Sequence, residues 1–136
     1  MTTEACPPVV IDTSALVAIL LDEPERRTFI DAIEAADVRL MSVASFVEVS
    51  IVIEARFGAE GARDLDHFIS RAGITLLSVD SAQGLIARDA WRRFGKGRHT
   101  AALDYGDCFA YALAQSSGEG LLFKGRDFAL TDVPTA

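Results

Sequence analysis

Short apolar runs alternate with stretches of helical periodicity along almost the whole chain, and few folds accept that order. Val9-Val10-Ile11, Val38 to Met41, Ile74 to Val79 and Leu121-Leu122-Phe123 read as strands. A short helix over Ala15 to Leu21, capped by Thr13 or Ser14, follows the first strand. A second helix carries Pro24 in its first turn and an apolar stripe of Phe29, Ile30 and Ile33. Ser42 can cap a third helix that ends near Gly58, and Gly61 to Ala72 reads as another. Asp80 or Ser81 caps a helix reaching about Phe94, and the last helix runs from Leu103 to about Ser116. Thr131 to Val133 adds a short edge strand. Strands separated by helices cannot pair as hairpins. They form a parallel sheet covered on both faces, with ligands bound beyond the carboxyl ends of the strands. One domain over residues 1–136 suffices, with a flexible leader at 1–8.

Several acids stand where this pattern does not want them. Asp12 closes the first strand, Glu48 lies within the apolar helical run from Val43 to Ile53, and Asp104 and Asp107 open another apolar helix. Burying an unpaired carboxylate is costly, so fold stability gives no reason to collect them. Carboxylates on separate segments become sensible if they converge on a cation. Each also has a plain structural reading. Asp12 can cap a helix, Glu48 can pair with an arginine at a boundary, and Asp104 and Asp107 can answer the helix dipole. Two carboxylates three residues apart on one face repel unless a cation lies between them. Asp127, leaving the last strand, forms either a turn or a further acid at the rim where Asp12 sits.

The chain's net charge of −7 argues against nucleic-acid binding through a broad cationic face, and leaves room for a local basic strip. Arg92, Arg93, Lys96 and Arg98 supply such a strip, either as a solvated helix end or as a phosphate track. Trp91 reads as core rather than as a base-stacking platform. The two cysteines, Cys6 and Cys108, make no disulfide framework and no zinc cluster, and reduced thiols suit the cytoplasm. No signal peptide opens the chain, and no apolar segment reaches the roughly 20 residues that span a bilayer.

Four segments together resemble a PIN-domain ribonuclease of the VapC toxin type. They are Val10-Ile11-Asp12-Thr13-Ser14-Ala15-Leu16, the helix start from Ser42 to Glu48, Leu103-Asp104-Tyr105-Gly106-Asp107-Cys108 with its continuation to Ala114, and Leu122-Phe123-Lys124-Gly125-Arg126-Asp127-Phe128. The resemblance runs from Val9 to about Val133, and Gly106-Asp107-Cys108 is its most specific part. It implies a three-layer α/β/α sandwich with a central, mainly parallel sheet. It implies an endoribonuclease dependent on Mg²⁺ or Mn²⁺, paired with a VapB-type antitoxin and commonly homodimeric. By position, Asp12 and Asp107 are its direct metal ligands, Glu48 its second acid, Asp127 its weaker fourth, and Ser14 a hydroxyl near the metal. Asp104 departs from the family pattern, where many members carry Asn.

The expected chemistry is in-line hydrolysis of an RNA phosphodiester by a metal-activated water, oriented by Glu48 or Asp104. Lys124 or Arg126 would hold a neighbouring phosphate, and the Arg92 to Arg98 strip would guide the strand. The acidic surface would admit a basic, partly disordered antitoxin segment, with Phe29, Ile51 and Phe57 as candidates for its groove. Two rivals belong to other classes. One is a catalytically silent PIN-like binding partner. The other is a receiver-type phosphoacceptor, which Thr13-Ser14 after Asp12 and the mid-helix position of Glu48 disfavour.

Overall fold

The computed structural model describes residues 7–136; the expected leader, Pro7 and Pro8 apart, and Cys6 with it, lie outside the described residues. Strand β1 (Val9–Ile11) leads into helix α1 (Thr13–Leu20) and then α2 (Arg26–Ala35). Strand β2 (Arg39–Ser42) is followed by α3 (Val43–Arg71), and β3 (Ile74–Leu77) by α4 (Ser81–Phe94). Helix α5 (Tyr105–Ser117) and strand β4 (Gly120–Leu122) complete the layers. The four strands are parallel in the order β3-β2-β1-β4. Beyond β1 the chain steps to one side for β2 and returns on the other side as β4. The carboxyl end of β1 therefore lies where the strand order reverses, the place at which open α/β sheets bind ligands.

Strand alternation sorts the core into two layers. Val9 and Ile11 point to one face and pack with Leu16, Ile33, Val49, Ile53 and Leu65 of α1 to α3. Val10 points to the other and packs with Phe94, Ala110, Tyr111 and Leu113 of α4 and α5. Leu121 and Leu122 divide in the same way. Every residue of β1 is buried, as a central parallel strand requires. A fully buried side chain of Leu or Ile size contributes about 1.5–3 kcal/mol, so the two layers hold the rim of the sheet rigidly.

Helix α3 breaks at Gly58, whose φ of 68° and ψ of −155° glycine adopts without strain, so the two expected helices follow each other across a kink. Of the three cap residues the sequence offers, Asp12 caps α1, its side chain accepting from Ser14 N, and Thr13 and Ser14 lie inside the helix. Pro24 precedes α2 instead of lying in its first turn. The expected edge strand over Thr131 to Val133 is absent. Phe128–Leu130 forms a 3-10 turn, and the parallel bridge to Leu121 comes from Thr135. Asp132 explains the displacement, because its carboxylate accepts from Tyr111 Oη at 2.5 Å and from Arg93 at 3.0 Å. No helix among the described residues is long and apolar enough to cross a membrane.

Candidate metal centre

Asp12 is only 2% exposed, the one acid among the described residues driven into the core. Its backbone continues the sheet, donating from N to Leu122 O at 3.0 Å, so β4 fixes where the side chain emerges. Its Oδ2 accepts from Ser14 N at 3.0 Å and from Ser14 Oγ at 2.6 Å. Ser14 Oγ accepts in turn from Lys124 N at 3.0 Å, which ties the loop after β4 to the aspartate. Burial pushes the Asp12 carboxyl up to about 6; the two Ser14 hydrogen bonds oppose the rise and the Glu48 charge adds to it.

Asp104 and Asp107 form a reciprocal cap on α5. Asp107 N donates to Asp104 Oδ1 at 2.9 Å, and Asp104 N donates to Asp107 Oδ2 at 3.0 Å. The structural reading of this pair is thus realised, but it does not exhaust Asp107. Asp104 is exposed, whereas Asp107 is half-buried. Burial pushes the Asp107 carboxyl up to about 7, against the Asp104 amide and with the charges of Asp12 and Asp104. Asp107 thus feels the charge of Asp12, 95 residues away in sequence.

Glu48 arrives from α3, fixed in register by Ser42, whose Oγ accepts from Ala44 N at 3.2 Å. Its carboxylate lies over Gly106 in the first turn of α5, where a Cβ would stand 2.6 Å from Glu48 Cδ. Only the missing side chain of Gly106 lets the third acid come this close to the cap. Glycine in a first helical turn is otherwise a poor choice, and that was the signal available in the sequence. Gly106→Ala is expected to displace Glu48 and weaken divalent-cation binding by about 10-fold or more, as loss of supporting groups around metal sites does. Calorimetric titration measures this, and an unchanged melting temperature in chelator shows that the fold is kept.

The donor set fits a hard cation. Asp12, Glu48, Asp104 and Asp107 offer oxygen only, from segments that meet at one rim. Among the described residues no three His, Cys, Asp or Glu side chains already stand close enough to hold a metal ion. Hard divalent cations take oxygen ligands, and Mg²⁺ sites use one or two carboxylates and keep several waters.

The remaining expected residues are engaged in different ways. Asp127 is exposed, and it is not among the charges acting on Asp12 or Asp107. Lys124 binds Glu23 at 3.1 Å and Glu25 at 3.0 Å, so its ammonium braces the loop after α1. Arg93 is held by Asp132 at 3.0 Å and Asp89 at 3.6 Å, on a different surface from Lys96. Arg92, Lys96, Arg98 and Arg126 are exposed. Trp91 is 45% exposed, with the Arg98 guanidinium 4.7 Å from its ring centre, so it is not a core residue.

Comparison with known proteins identifies the family and the fold. Residues 9–134 match the family model described as PIN domain. A protein of Mycolicibacterium smegmatis named Ribonuclease VapC is 58% identical over 125 residues, covering 92% of this chain and 97% of that one. The crystal structure of Mycobacterium tuberculosis VapC20, a sarcin-ricin loop cleaving toxin, superposes with a TM-score of 0.76 at 15% identity, covering 94% and 98% of the two chains. VapBC2 from Rickettsia felis, solved bound to a DNA fragment from its promoter, gives a TM-score of 0.75 at 9% identity, covering 95% and 97%. The acids at the β1 rim, the parallel sheet and these matches lead to one conclusion: the chain belongs to the PIN domain family, in its VapC branch.

Proposed function

We propose that this chain is a divalent-cation-dependent endoribonuclease and the toxin half of a toxin–antitoxin pair. The name Ribonuclease VapC of the 58% identical relative supports RNA as the substrate. The observation that carries the reading is the meeting of Asp12, Glu48 and Asp107 at the sheet's switch point. Asp12 and Asp107 would hold the cation, Mg²⁺ by its preference for oxygen donors, with Mn²⁺ acceptable. When bound, it would polarise the scissile phosphate and the attacking water. Glu48 stands beside the pair and accepts the water's proton. Ser14 holds one Asp12 oxygen in place. Asp104 shapes the start of α5, and Asp127, exposed in the loop after β4, would be the weaker fourth acid. The free Cys108 thiol is consistent with a cytoplasmic setting.

The antitoxin has a surface to occupy. Val43, Val47 and Ile51 are 38%, 50% and 63% exposed and recur at helical spacing along α3, with Glu48 next in sequence to Val47. A VapB-type segment laid on this stripe would bring a basic side chain to the acids. Phe29 is buried and takes no part in such a groove, whereas Phe57 is 49% exposed.

Incubating the purified chain with cellular RNA and mapping the new ends tests the proposal. Discrete cuts are expected with Mg²⁺ and none with EDTA. Tight partner binding without any cleavage would instead favour the silent partner.

A further inference from the structure

Immediately beside Asp104 a cleft of about 630 Å³ opens between α4 and α5, and the assignments above leave it unused. We infer that this cleft is a nucleobase subsite, which stacks one unpaired base of the RNA strand next to the scissile phosphate and so helps set where the chain cuts. The inference rests on the nuclease reading and adds a specificity determinant to it.

The cleft's chemistry is that of a base and its phosphate. Trp91 and Tyr105 are 45% and 81% exposed, an unusual cost for residues of that size unless something covers them. Tyr105 is braced edge-on by Phe109, ring centres 4.9 Å apart, so it offers a supported ring. Arg88 and Lys96 stand at the lining with no acidic partner among the described residues, in a chain whose net charge is −7. Arg98 over Trp91 adds a third cation. Aromatic faces with cations beside them are the usual means of holding single-stranded nucleic acid. A purely apolar peptide would leave these cations without a counterpart. Asp104 lines the cleft and also caps α5 through Asp107, so the cleft continues into the acidic rim. At Gly84 in α4 an added Cβ would meet nothing within 4 Å, so the cleft has room at that wall.

Trp91 is the chain's single tryptophan, so its fluorescence reports on this cleft alone. The wild type in EDTA is titrated with five-nucleotide oligoribonucleotides of each base and with an abasic oligomer of equal charge. Saturable quenching by base-bearing oligomers and little by the abasic one is expected. Gly84→Leu fills the cleft while keeping the fluorophore, and should raise the half-saturation concentration roughly 10-fold, the scale of one stacked base. With Mg²⁺, Gly84→Leu and Trp91→Ala should raise KM by a similar factor and redistribute the mapped RNA ends, while Trp91→Phe stays near wild type. Equal quenching by the abasic oligomer, or unchanged KM and cut sites in both variants, overturns the proposal. So does a loss confined to antitoxin binding or to self-association, which would assign the cleft to a protein. Quenching without cleavage by the wild type sinks the nuclease activity and leaves the cleft a base site. Cleavage without quenching does the reverse.

Discussion

Asp107→Asn is expected to lower kcat/KM for RNA cleavage roughly 1000-fold without unfolding the protein. The rate loss follows from removing one of two carboxylates that would hold the cation, whose contribution to such reactions is several kcal/mol, at about 1.4 kcal/mol per tenfold. The fold should persist for a reason visible in the cap. The asparagine oxygen can still accept from Asp104 N, so the bond now measured at 3.0 Å is replaceable. The substitution also removes a half-buried charge that Asp12 and Asp104 both oppose. In EDTA the variant should therefore melt at or above the wild-type temperature. A residue needed only for structure would show the opposite, lower stability and a proportionate loss of rate. Asp12→Asn should behave alike, because its oxygen can still accept from Ser14. Asp104→Asn is the internal control: asparagine caps helices as well as aspartate does, and the exposed Asp104 should matter far less to the rate, about 10-fold at most. Wild-type cleavage by Asp107→Asn would remove the acidic rim from the chemistry.

The alternation of strands with helices, and with it the parallel sheet covered on both faces, was legible because it rests on local periodicity, whereas the strand order β3-β2-β1-β4 emerged only from the structure. Val9 and Ile11 against Val10 is a period of two, and Ser42, Asp80 and Gly58 are punctuation that acts on its own neighbours. The acids were legible for the converse reason, since Asp12 and Glu48 interrupt apolar runs that local rules would have kept clean. What stayed hidden was partner choice across long sequence distances. Lys124 reads as a free cation until the loop after α1 brings Glu23 and Glu25 to it. Arg93 reads as part of a basic strip, yet Asp132 captures it from 39 residues away. Trp91 reads as core by residue type, and only the gap between α4 and α5 leaves it exposed. Gly106 was visible as a poor residue for a first helical turn, but that its absent side chain admits Glu48 was not. Charge and shape at a surface depend on such pairings, so the convergent acids were readable and the pairing of the surface cations was not.

The second large effect is a stability that depends on pH and on the cation together. Asp12 titrates near 6 in the folded chain against 3.8 ordinarily, and Asp107 near 7. Between pH 4 and 6 the folded chain keeps a proton on Asp12 that the unfolded chain has released. Stability contributed by that proton is present below pH 4 and is lost as pH rises through 6, with Asp107 extending the loss to about 7. For Asp12 alone the change is about 3 kcal/mol at 1.36 kcal/mol per pKa unit. Asp132 works in the other direction, since Tyr111 and Arg93 hold it below its usual range, but its effect falls at more acid pH and leaves this window clear. In EDTA the melting temperature should therefore fall between pH 5 and pH 8. Mg²⁺ binds the deprotonated pair, so it should restore stability at pH 8 and do little at pH 5. At a concentration 100 times Kd the gain is about 2.7 kcal/mol, or roughly 10 °C for a chain of this size. Replacing both Asp12 and Asp107 by Asn should abolish the slope and the response together, because the crowded charge that causes both is gone. A melting temperature that is flat from pH 5 to 8 and indifferent to Mg²⁺ and EDTA would mean that these acids neither crowd one another nor await a cation.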